Sequence, residues 1–127
     1  MDDKNPATHD GLTPLYVAAE KGHYEICKLV TDHVDDKNPA RPNGVTPLFI
    51  AAQNGHYEIC KLIITNIDDK NPARNDGATP LYMAAQNGHY EIFKLIFKAT
   101  LTNIPGLMKG FSLFILLHAM VTLRFVK

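Results

Sequence analysis

The octapeptide Gly-His-Tyr-Glu-Ile-Cys-Lys-Leu occurs at Gly22–Leu29 and again at Gly55–Leu62. It returns at Gly88–Leu95 with Phe93 in the place of Cys60. The step between copies is 33 residues each time. Asp2, Asp35 and Asp68 keep the same step, as do Gly11, Gly44 and Gly77, and Thr13, Thr46 and Thr79. Self-similarity at a fixed period of about 20–50 residues marks an array of stacked units rather than one globular core. One such unit cannot bury its own apolar face, and about three are needed for stability. The chain must therefore build one supersecondary unit three times and stack the copies.

Each unit opens with Asp-Asp-Lys-Asn-Pro-Ala, at Asp2, Asp35 and Asp68. Proline and the Asn/Asp/Gly cluster after it break a helix and favour a turn. Residues 2–12, 35–45 and 68–78 are therefore expected as extended, hairpin-like loops ending near Gly11, Gly44 and Gly77. Thr-Pro-Leu follows. Threonine caps a helix N-terminus through its hydroxyl, and proline suits the first helical position because its missing N–H had no partner there. Leu15, Ala18 and Ala19 then show the i, i+3, i+4 spacing of a helical stripe, and the alanines are small enough for a neighbour to come close. Gly22, Gly55 and Gly88 end the first helix.

A second helix starts near His23, His56 and His89. Its expected apolar face is Ile26, Leu29 and Val30, then Ile59, Leu62 and Ile63, then Ile92, Leu95 and Ile96. Glu25 and Lys28 form an i, i+3 pair on the wet side. The spacing predicts six helices in three antiparallel pairs, at about 14–20, 24–32, 47–54, 57–65, 80–87 and 90–99.

Thr46-Pro47-Leu48, Ala51-Ala52, Gly55-His56, Ile59 and Leu62, with Gly44 upstream, resemble the ankyrin repeat. Thr13-Pro14-Leu15 with Ala18-Ala19 and Gly22-His23, and Thr79-Pro80-Leu81 with Ala84-Ala85 and Gly88-His89, match in phase. Two departures stand out. Tyr16, Phe49 and Tyr82 replace the family's usual His after Thr-Pro-Leu, and Val34-Asp35 and Ile67-Asp68 replace the usual Gly-Ala. The resemblance implies an all-α, ankyrin-type solenoid of helix–turn–helix repeats joined by hairpin-like loops. The repeats would span about 2–34, 35–67 and 68–100 of a domain at 1–100, with 101–127 a degenerate fourth repeat or a capping helix.

Beyond Lys98 the pattern fades. Gly110 and Ser112 fall 33 residues after Gly77 and Thr79, but Leu113 stands where proline should. Residues 110–123 are apolar apart from Ser112, His118 and Thr122. The third unit is expected to leave an open apolar end at Ile92, Leu95 and Ile96, over which a helix at 110–125 would lie. A membrane attachment through 110–125, a non-native tail and a truncated array are the other readings. A spanning helix needs about 20 apolar residues, and Lys109 and Arg124 bound a shorter window.

Thirteen basic and 13 acidic residues balance, so net charge points neither to nucleic acid nor to a membrane surface. Cys27 and Cys60 occupy equivalent positions. Packed helices lie about 8–10 Å apart, whereas a disulfide wants Cα atoms within about 7 Å. Free thiols fit a reducing compartment, and the polar N-terminus lacks the apolar core of a signal peptide, so an intracellular, cytoplasmic protein is expected. His23, His56 and His89 stand one repeat apart, too far to share a metal with ligands at about 2.1 Å; hydrogen bonds at the helix–helix corner are their expected role. Asp35-Asp36 and Asp68-Asp69 read as solvated loop beside Lys37 and Lys70, not as a calcium site. Tyr24, Tyr57 and Tyr90 read as packing residues with hydroxyls at the surface. No catalytic constellation, cofactor motif or metal set appears.

The copies differ at particular places, which marks where the scaffold is not the constraint. These are Thr8, His9, Asp10 and Leu12; Arg41, Pro42, Asn43 and Val45; and Arg74, Asn75, Asp76 and Ala78. The first helix also ends differently: Glu20-Lys21, Gln53-Asn54 and Gln86-Asn87. In the ankyrin family such places line the concave face that holds protein partners. By resemblance, the candidate contact set is His9, Asp10, Leu12, Glu20, Lys21, Arg41, Asn43, Val45, Gln53, Asn54, Arg74, Asn75, Asp76, Ala78, Gln86 and Asn87. Arg41 and Arg74 lead it, because Arg is enriched at interface hot spots.

Overall fold

The computed structural model describes residues 4–101. The sequence readings of residues 102–127, whether cap, anchor or fourth repeat, lie outside the described residues.

Six helices occur: α1 (Pro14–Lys21), α2 (Tyr24–Thr31), α3 (Pro47–Asn54), α4 (Tyr57–Ile64), α5 (Pro80–Gln86) and α6 (Tyr90–Leu101). Each lies within about two residues of its expected bounds, the scatter normal for frayed helix ends. Among the described residues there is no strand. Within a unit, α1 packs on α2, α3 on α4 and α5 on α6. Between units, α1, α3 and α5 form one row and α2, α4 and α6 a second.

Local chemistry accounts for the starts of α1, α3 and α5. Thr13, Thr46 and Thr79 hydroxyls accept the N–H groups of Tyr16, Phe49 and Tyr82, each at 3.1 Å. The side-chain oxygens of Asn5, Asn38 and Asn71 accept the N–H groups of Leu15, Leu48 and Leu81 at 2.9, 2.8 and 2.9 Å. A helix leaves its first N–H groups without partners inside the helix. Here proline removes one, asparagine takes the next and threonine the one after.

The rest of the opening hexapeptide also has defined partners. Asp36 and Asp69 accept the N–H of Asn38 and Asn71, at 3.1 and 3.2 Å. The Lys37 ammonium donates to the Val34 carbonyl, and that of Lys70 to the Ile67 carbonyl and, at 2.9 Å, to that of Ile64. These lysines are half-buried ties on the preceding unit rather than solvated neighbours of the aspartates.

The core runs the length of the stack. Leu15, Leu48, Ala19, Ala51, Ala52, Ile63 and Ile96 are fully buried. Helix α3 buries six consecutive residues, Pro47 to Ala52, because α1, α5 and α4 surround it.

Two expectations about apolar faces are corrected. In α2 the buried residues are Cys27 and Thr31, while Ile26 and Leu29 are 48% and 63% exposed and Val30 is half-buried. The equivalent Ile59 is 2% exposed, because α2 covers it; among the described residues no second-row helix stands before α2. At the other end, Ile92 and Ile96 are buried and Leu95 half-buried, so they face into the stack. Among the described residues, the exposed large apolar side chains at that end are Tyr82 and Tyr90. Charge pairing also differs between copies. Lys28 pairs with Asp32 at 2.9 Å rather than with Glu25, whereas Lys94 pairs with the equivalent Glu91 at 3.6 Å.

Candidate partner-binding surface

The three loop tips share one backbone. Thr8 N–H donates to the Leu12 carbonyl and Gly11 N–H to that of Thr8, at 2.8 and 3.0 Å. The Arg41–Val45 and Gly44–Arg41 bonds measure 2.9 and 2.8 Å, and the Arg74–Ala78 and Gly77–Arg74 bonds 2.7 and 2.8 Å. On this common frame stand different exposed side chains: His9 and Asp10, then Pro42 and Asn43, then Asn75 and Asp76. Leu12 and Ala78 are half-buried at the bases of their tips. Val45 is not part of the surface. It is 6% exposed and belongs to the core, at the base of a turn closed by the Arg41 N–H bond to its carbonyl.

Arg41 and Arg74 are half-buried and largely committed within the stack. The Arg41 guanidinium lies 5.2 Å over the Tyr16 ring, donates to the Asp10 carbonyl at 3.3 Å and stands 3.5 Å from the Asp10 carboxylate. That of Arg74 lies 5.1 Å over Phe49 and grips Asp76 with two bonds of 2.9 and 2.7 Å. Each is thus a stacking contact to the unit before it. The hydrogen bond from Arg74 is the main cause that holds the Asp76 carboxyl down to about 2. Asp10 is also lowered, chiefly by the Thr8 hydroxyl. Neighbouring tips are tied together: Asn75 donates its backbone N–H to the Asn43 carbonyl and its side-chain amide to that of Pro42, both at 2.9 Å.

At the first-helix ends, Lys21, Asn54, Gln86 and Asn87 are exposed, and Glu20 and Gln53 half-exposed. The asparagines reach back one unit. Asn54 donates to the Glu20 carbonyl and Asn87 to that of Gln53, both at 3.0 Å. The same carbonyls accept Nε2–H of His56 and His89, at 3.0 and 3.1 Å. The histidines therefore do bond at the corner, as the sequence implied, but to the preceding unit. Arg74, Asp76, Ala78 and Gln86 line an open groove with Tyr82 and Met83.

Neither cysteine is a candidate nucleophile. Cys27 and Cys60 are free and buried, and burial pushes their thiols up to about 11 and about 12. They are thiols, not thiolates, at neutral pH, and inert. Among the described residues no group of three or more His, Cys, Asp or Glu side chains is placed to hold a metal ion. Among them, too, no helix is long and apolar enough to cross a membrane.

What the sequence missed is the inward work of Arg41, Arg74, Asn54 and Asn87. The one signal for it was that Asn54 and Asn87 recur at equal spacing beside an invariant Gly-His. A family model described as ankyrin repeats (3 copies) matches residues 1–72 and again 35–104. No curated protein matches the chain.

Proposed function

The chain belongs to the ankyrin-repeat family, and from that premise we propose that it is a non-catalytic module that binds a protein partner through its loop tips and the ends of α1, α3 and α5. One observation carries the reading: three identically hydrogen-bonded turns present three different sets of exposed side chains. A scaffold that repeats its backbone while varying its tips is suited to matching an irregular protein surface, and repeat arrays use extended faces in this way. The contacting residues are His9, Asp10 and Lys21 from the first unit, Pro42, Asn43, Gln53 and Asn54 from the second, and Asn75, Asp76, Gln86 and Asn87 from the third. Arg41 and Arg74 support these tips and lend their outer edges. The free thiols fit an intracellular, cytoplasmic setting.

The test is capture of a partner by the immobilised full chain. Substituting His9→Ala, Pro42→Ala and Asn75→Ala together should abolish capture with the helical circular dichroism unchanged. Lys61→Ala, exposed on α4, should retain it. Retention by the tip variant together with loss in Lys61→Ala would move the site to the second-helix row.

A further inference from the structure

Among the described residues, five large apolar side chains are exposed, and all five lie at the two ends of the stack. Val17, Ile26 and Leu29 are at the first end, Tyr82 and Tyr90 at the other. Inside the stack their equivalents are covered. Ile50 and Ile59 are buried and Leu62 half-buried; Tyr16 and Phe49 are buried, and Tyr24 and Tyr57 half-buried. Ile26 and Ile59, Leu29 and Leu62, Tyr16 and Tyr82, and Tyr57 and Tyr90 are identical in sequence, so sequence does not separate these covered copies from the uncovered ones. Only the presence of a neighbouring unit does.

The polar half of the joint follows the same rule. A Cβ at Gly22 would stand 2.8 Å from the His56 ring, and one at Gly55 2.8 Å from the His89 ring, so these glycines form recesses that the next unit's imidazole fills. At Gly88 no described atom lies within 4 Å of that position. His23, the imidazole at the first end, is exposed. One end therefore carries a recess at Gly88 that no described residue fills, in the unit whose Tyr82 and Tyr90 are exposed. The other carries the imidazole and aliphatic side chains that fill that recess twice within the stack.

We propose that these ends join, so that a second copy of this chain docks its first unit on the third unit of the copy before it, head to tail. His23 of one copy enters beside Gly88 of the other, and Val17, Ile26 and Leu29 cover the face bearing Tyr82 and Tyr90. Register favours a second copy as the occupant. Residues 33 positions beyond Arg74, Asn87 and His89 are Leu107, Met120 and Thr122, which supply neither the cation, the amide nor the imidazole of the joint. A second copy supplies His23, and Lys21 as a donor where Asn54 and Asn87 stand; only the cation over the ring is missing, because Thr8 occupies the place of Arg41. A net charge of zero does not oppose association. Because the joined surfaces differ, the contact is heterologous and propagates rather than closing as a two-fold dimer.

Sedimentation velocity on the full chain tests this from micromolar to millimolar concentration. The wild type should show a weight-average mass that climbs through successive multiples of the monomer. A first-end variant, Ile26→Asp with Leu29→Asp, should remain monomeric, and so should a second-end variant, Tyr82→Asp with Tyr90→Asp, both with native circular dichroism. Mixed in equal amounts they should form a dimer, twice the monomer mass, and stop there, because each retains one intact end. A wild type that stays monomeric throughout would overturn the proposal. A closed dimer that survives in either variant alone would overturn it in favour of a two-fold contact elsewhere.

Discussion

Ala52→Leu is the most direct probe of the stacked core. Ala52 is fully buried in α3, which has α1 and α5 on its flanks and α4 beneath it. Leucine adds three carbons where the small side chain lets two helix rows approach. Overpacking of this kind costs about 1–3 kcal/mol. For a domain of roughly 100 residues each kcal/mol moves the melting temperature by about 4–8 °C, so the expected drop is about 4–24 °C. That loss is a sizeable part of a total stability of about 5–15 kcal/mol. The stack supplies its own control. Ala85 is the equivalent residue of the third unit and is only half-buried, because no described unit stands beyond α5. Ala85→Leu should therefore cost less than about 1 kcal/mol, closer to a surface change. Thermal melts followed by circular dichroism at 222 nm, the helical band, compare the two. Equal shifts, or an unchanged midpoint for Ala52→Leu, would refute the claim that burial at this position is set by stacking.

Three further outcomes follow from named contacts. Asn38→Ala should cost about 1–3 kcal/mol, because the buried Leu48 N–H loses its acceptor, whereas Asn38→Asp keeps an acceptor there and should cost less; denaturant melts that rank them the other way would remove asparagine from the helix cap. Gly55→Ala should destabilise more than Gly88→Ala, since both glycines have positive φ, +85° and +78°, but only Gly55 would also collide with a histidine ring; equal midpoints in the two variants would mean that the ring yields freely. The Asp76 carboxyl sits below its ordinary value of 3.8, at about 2, so the Arg74–Asp76 contact is fully present above about pH 4 and is lost as pH falls toward 2; NMR titration should find the Asp76 value restored toward about 3.9 in Arg74→Ala, and no change would assign the shift to the Ala78 N–H instead.

The chain by itself determined the elements. Thr-Pro, the paired alanines and the glycine stops act within a few residues of where they stand, so a 33-residue pattern read three times places six helices and their pairing. The asparagine of each opening hexapeptide was visible but not its task, because the Leu48 N–H that it satisfies lies 10 residues away, across a loop whose path the sequence does not state. The same holds for the candidate surface. Its variable positions were legible, but Val45 proved buried, and Arg41 and Arg74 proved to be ties between units, because burial depends on what stands opposite and not on which residues differ. Ile26 and Ile59 make the point most simply. They sit in the same octapeptide on the same helical turn, and only the tertiary structure decides that one is half in water and the other is core, because a helix face loses its water only where another unit is stacked against it.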